Sequence, residues 1–130
     1  MGTRRWVIPL SFTKPPLTAN QRFGHWAQRA KLVKQVRHEA CMRAKSHKLP
    51  AMGKCAVSLH YRPRDSRRRD ADNLVPTLKA LCDGLVDAGL VVDDTPEFMA
   101  KVMPVIHPAK KGTPASMWLE IEQEGKTDEF

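Results

Sequence analysis

Residues 67–76 read Arg67-Arg68-Arg69-Asp70-Ala71-Asp72-Asn73-Leu74-Val75-Pro76, and the fold turns on where a helix can begin inside that stretch. Pro76 has no N–H, so a helix tolerates it only in its first turn. Leu74, Leu78, Leu81, Leu85 and Ala88 then fall on one helical face and Lys79, Asp83 and Asp87 on the other, with Gly89 at the stop position. The spacing predicts a helix over about 74–88, with Asn73 as N-cap and Pro76 at N3. Asp70 and Asp72 are then left on extended chain. There residues i and i+2 point the same way, whereas on a helix they would diverge by about 200°.

Working outward, Cys55 to Tyr61 alternates strictly and predicts a strand with Val57, Leu59 and Tyr61 inward, ended by Pro63. Before it, Trp26, Ala30, Val33, Val36, Ala40, Cys41 and Ala44 share one arc of a helix over about 23–46. Lys31, Lys34, His38 and Lys45 lie on the other side, as a solvated face or a phosphate contact; Arg37 intrudes on the stripe and calls for snorkelling or a partner. Trp6, Ile8, Leu10 and Phe12 predict a first strand, with Pro9 favouring an edge or bulge, and Pro15-Pro16 forces a loop after it. Downstream, Phe98 to Ile106 reads as a strand interrupted by Pro104. A hairpin loop from Pro108 to Pro114 leads to a last strand, Ser116 to Glu122, with Met117, Leu119 and Ile121 inward. The expected order is βαβαββ, an α/β (α+β) single domain over 1–130 with a mixed sheet packed by two helices and an acidic, frayed tail from about 123.

A chain of 130 residues can bury one core without staples. Its 22 Lys and Arg against 14 Asp and Glu leave a net charge of +8, which makes a polyanion such as nucleic acid the first partner to consider. Three scattered cysteines, Cys41, Cys55 and Cys82, form neither a disulfide framework nor a zinc motif. No apolar run approaches the roughly 20 residues that span a bilayer. The segment after Arg4-Arg5 is too short for a secretory signal, so a cytoplasmic protein is expected. Trp26, Phe98 and Trp118 read as core, with a dimer surface as the alternative.

The acidic residues carry the chemistry. Asp70 and Asp72, with Asp93 or Asp94 from the turn after the helix, make an all-oxygen ligand set, and hard ligands without His or Cys suit Mg²⁺ or Mn²⁺. Such an ion polarises a phosphate and activates water. The metal and the adjacent Arg67, Arg68 and Arg69 would let this acidic set approach a polyanion. Taken singly, Asp72 also reads as help for a helix cap and Asp93-Asp94 as a polar turn.

Arg67-Arg68-Arg69-Asp70-Ala71-Asp72-Asn73-Leu74, the leucine-rich helix and Gly89-Leu90-Val91-Val92-Asp93-Asp94 together resemble the RusA family of Holliday junction resolvases. Pro15-Pro16 with Asn20 is similar to the family's Pro-Pro-x-x-Asn region, and the likeness runs from about Trp6 to Ile121. The resemblance implies a small homodimer of bacterial cells or phage-infected hosts that cuts four-way DNA junctions with Mg²⁺, Mn²⁺ being able to substitute. Asp70, Asp72 and Asp94 would be its catalytic, metal-holding aspartates; by their charge and placement, Arg64, Arg67, Arg68, Arg69, Lys31 and Lys34 are the candidate DNA contacts. One position departs: the family's lysine four residues after the second aspartate is replaced by Pro76. Lys79, one turn further on, is the nearest substitute, with an i,i+4 pair to Asp83 as the alternative.

Overall fold

In the computed structural model, which describes residues 4–19, 21–22, 24 and 26–124, the element order is β1 (Arg5–Pro9), α1 (Trp26–Ser46), β2 (Cys55–Arg62), α2 (Val75–Asp87), β3 (Met99–Lys101), β4 (Val105–Ile106) and β5 (Ser116–Gln123). A 3₁₀ turn over Ala71–Leu74 leads into α2. The strands form one mixed sheet in the order β1-β5-β2-β3, with β4 also on β2; β1 and β2 run antiparallel to β5, and β3 and β4 parallel to β2. The parallel pairing of β2 with β3 requires a crossover, and α2 supplies it. Pro9 is accommodated because β1 is an edge strand.

The alternation read from β2 and β5 holds. Val57, Leu59 and Tyr61, with Met117, Leu119 and Ile121, share one core with Val36, Ala40 and Ala44 of α1 and with Leu78, Leu81 and Leu85 of α2. The other face of the same strands carries Ser58, His60, Trp118 and Glu120. There His60, His107 and Trp118 stack with ring centroids 5.0–5.4 Å apart, and His60 Nδ1 lies 2.8 Å from His107 Nε2. Burial shifts the His60 pKa downward. Burial also raises the Cys55 thiol to about 11 and the Cys82 thiol to about 12, so both remain protonated at neutral pH.

Four expectations are corrected. The start of α1 does not enter the core: Trp26 is 77% exposed and Ala30 is exposed, so the buried stripe begins near Leu32. Phe23 and His25 lie outside the described residues, as do Asn20 and most of the acidic tail. The Pro108–Pro114 segment is no hairpin loop, since β4 and β5 flank β2 on opposite sides and the segment crosses the end of β2. Asn73 is not the N-cap: Leu74 caps α2, and Pro76 sits one position earlier than expected, within N1/N2. Finally, only Asp70 keeps extended backbone (φ −101°, ψ 132°), because the 3₁₀ turn takes in Asp72. That turn gives the Asn73 N–H a partner in the Asp70 carbonyl at 3.1 Å, a common way of satisfying the unpaired groups at a helix start.

Arg37 proves to have a partner rather than to snorkel. Its guanidinium makes a two-pronged pair with Asp87 (2.5 and 2.8 Å), tying α1 to the end of α2. The helices pack tightly at Gly84, where an added Cβ would collide with the Arg37 carbonyl oxygen and stand 2.8 Å from Ala40 Cβ. Gly89 ends α2 as expected, at φ +88°. Its N–H bonds to the Val86 carbonyl (2.9 Å) and that of Leu90 to the Leu85 carbonyl (3.2 Å), the Schellman arrangement.

Candidate functional site

Each end of α2 brings polar groups to the surface. At its start Asp70 is exposed, with Arg68 Nε 3.9 Å away, and the Arg68 side chain is 93% exposed. Asp72 is exposed on the 3₁₀ turn. Further along, Lys79 Nζ binds both Asp83 (3.0 Å) and Asp94 (2.5 Å), so the i,i+4 pair weighed for Lys79 is formed and a second carboxylate joins it. Lys101 Nζ reaches the same Asp94 oxygen at 2.9 Å. The hydrogen bonds from Lys79 and then Lys101 hold the Asp94 carboxyl well below the usual carboxylate range, and reciprocally Asp94 and Asp83 raise Lys79. Of the neighbouring acids it is therefore Asp94 that is drawn into the cluster; Asp93 accepts the Asp94 N–H at 2.8 Å and shapes the turn.

Lys101 carried no sequence signal, because its place depends on strand parity. It pairs with Val57, on the helix-facing side of the sheet. An extra residue between Lys101 and Val105, relative to β2, resets the alternation so that Ile106 pairs with Tyr61 and turns inward again. The buried Pro104 sits in this bulge, where a missing N–H costs no ladder bond.

The donor set of Asp70, Asp72 and Asp94 suits a hard divalent ion in kind, being all carboxylate oxygen. It does not suit one in arrangement. Among the described residues no three His, Cys, Asp or Glu side chains are grouped so as to hold a metal, and Asp94 already accepts from two ammonium groups.

The arginines also differ from expectation. Arg67 and Arg69 fold onto Asp65, with contacts of 3.0 and 2.8 Å, and Arg69 also donates to the carbonyls of Asp65 and Arg67. Those bonds, from Arg67 first and then Arg69, hold the Asp65 carboxyl far below its ordinary range. Arg68 does not join them: its ion pair among the described residues is the 3.9 Å contact with Asp70. Arg64 is exposed and, with Lys31 and Lys34 on α1, has no ion pair among the described residues.

A second residue missed by sequence reading is Thr77, fully buried in the first turns of α2. Its hydroxyl donates to the Leu17 carbonyl (2.6 Å) and accepts from the Leu17 N–H (3.1 Å). With Ala19 N–H on the Asn73 carbonyl (3.3 Å), this pins the Pro15-Pro16 segment against the start of α2.

Compared with known proteins, the chain matches no family model, and no curated protein matches it either. No helix among the described residues is long and apolar enough to cross a membrane.

Proposed function

We propose that this protein is a Mg²⁺-dependent endodeoxyribonuclease of RusA type that resolves four-way DNA junctions as a cytoplasmic homodimer. The observation that carries the reading is the cluster of Lys79, Asp94 and Lys101. Lys79 of α2 and Lys101 of β3 converge on one ionised carboxylate, Asp94 of the loop between them, and the lead-in to α2 bears Arg68, Asp70 and Asp72. The cluster also offers an answer to the lysine displaced by Pro76, since Lys79, one turn further on, contacts Asp94.

In this reading Lys79 and Lys101 position Asp94, Lys79 also steadies the scissile phosphate, Arg68 meets the phosphate beside Asp70, and Lys31 and Lys34 contact backbone further along the DNA. The metal of this reading is Mg²⁺, with Mn²⁺ able to replace it, which would polarise the scissile phosphate; Asp70, Asp72 and Asp94 are of the right kind to hold it, although among the described residues they are not grouped to do so. A four-way junction has approximate two-fold symmetry, so paired cuts need two active sites, which a C₂ dimer supplies.

The ungrouped carboxylates favour a second reading, a basic DNA-binding protein without catalysis. One assay separates the two. An immobile junction, linear duplex, single strands and RNA are each incubated with the protein in Mg²⁺ and in EDTA. The nuclease reading expects paired, Mg²⁺-dependent nicks in the junction, lost in Asp72→Asn while junction binding survives. Salt-sensitive binding without nicking would establish the second reading. Full cleavage by Asp72→Asn would remove the carboxylate assignment, and preferential cutting of another substrate would change the target.

A further inference from the structure

A depression of about 650 Å³ opens beside the arginine block. Its cations come from two distant parts of the chain: Lys14 from the segment after β1, and Arg64, Arg67 and Arg69 from the segment after β2. Thr13 contributes a hydroxyl, and Asp65 is the one carboxylate among these lining residues. Four positive groups around a single negative one leave the depression strongly cationic. Among the described residues neither Lys14 nor Arg64 has an ion-pair partner.

Asp65 occupies the arginines as a phosphate would. Its two oxygens accept from Arg67 Nε, Arg67 Nη2 and Arg69 Nη2, at 3.4, 3.0 and 2.8 Å. Guanidinium groups bind carboxylate and phosphate through the same planar, two-pronged geometry. A phosphate oxygen pair could therefore take over these donors without rebuilding the pocket.

Two further observations tie the depression to the candidate site. Tyr61 and Arg69 line it and also line the neighbouring depression that contains Asp70 and Arg68. Lys14 immediately precedes the Pro15-Pro16-Leu17 segment that Thr77 pins to α2, so its position is set by the helix that carries the acidic residues.

We propose that this depression is a phosphate subsite for the DNA strand flanking the cleavage position, that Lys14 is one of its cations, and that Asp65 fills it when DNA is absent. The inference rests on the DNA-binding part of the proposed function and not on catalysis. Asp65 thereby acts as an internal competitor, and Lys14, remote in sequence from the arginine block, becomes a DNA contact.

The test is equilibrium binding of the full chain to an immobile junction in EDTA, across a salt series. Lys14→Gln should bind more weakly, with a log–log salt slope shallower by about 0.9, the loss of one phosphate contact. Asp65→Asn should bind more tightly than the unaltered protein, with circular dichroism confirming that it folds. An unchanged slope and affinity for Lys14→Gln, or equal or weaker binding by Asp65→Asn, would overturn the subsite. Those failures leave junction cleavage untouched. Conversely, both expected shifts in a protein that never nicks DNA would retain the subsite and reject the nuclease. No junction binding at any salt concentration would reject both.

Discussion

The two ends of α2 are built on opposite plans. Toward its C-terminus nearly everything is apolar or closed: Gly84 lets α1 approach, Leu85 and Leu90 are buried, and Gly89 completes the cap. The exposed charges there, Arg37 and Asp87, are matched to each other. Toward the N-terminus the first turn is irregular, the caps make no side-chain hydrogen bond, and Asp70, Asp72 and Arg68 face solvent. The contrast separates a half that fixes the helix in the fold from a half that leaves charged groups facing solvent, where the proposed function would use them. A change in the first should cost stability; a change in the second should cost function.

The largest expected effect tests the functional half. Lys79→Met should reduce junction cleavage by about 10²-fold, the usual cost of removing one stabilising donor, while thermal unfolding stays near that of the unaltered protein. A large fall in melting temperature instead would make Lys79 structural and erase the contrast. Gly84→Ala tests the other half. Its methyl group meets the Arg37 backbone, so overpacking should destabilise the protein by about 3 kcal/mol, measured by urea unfolding.

Thr77→Val addresses the junction between the halves. It leaves the buried Leu17 N–H and C=O without partners, at a cost of about 2 kcal/mol, and should weaken junction binding by loosening the Pro15-Pro16 segment. Gly89→Ala places a Cβ in the left-handed region and should cost about 1 kcal/mol with no effect on cleavage per folded molecule.

The smallest effect is a pH dependence on the far face of the sheet. Burial lowers the His60 pKa, so below about pH 6.5 the unfolded chain binds more protons than the folded one and stability falls. Melting temperature should therefore decline from pH 7 to 5.5, and His60→Asn should flatten that decline.

Local periodicity made much of this legible. The β2 and β5 faces, the leucine face of α2 and the Gly89 stop all follow from residues within a few turns of one another, whereas the sequence left Arg37 open between snorkelling and a partner. The α2 start was less legible because Asn73 is a strong capping signal; what prevailed was a 3₁₀ turn that shifts the helix by one residue and takes Asp72 with it. Asp65, Thr77 and Lys101 were not legible, since each acquires its role only when the chain closes on itself. The arginine block shows the limit most directly. Its sequence announces three phosphate-binding forks, and a carboxylate two residues before Arg67 engages two of them.

The bulge between β3 and β4 acts as a phase shifter. Without its extra residue Tyr61 would face Val105 rather than Ile106, and Pro104 would fall opposite His60 on the ladder. The edge of the sheet is thereby divided into two independently timed segments, one delivering Lys101 to Asp94 and the other delivering His107 to His60. Either segment can change in sequence without forcing the other out of step.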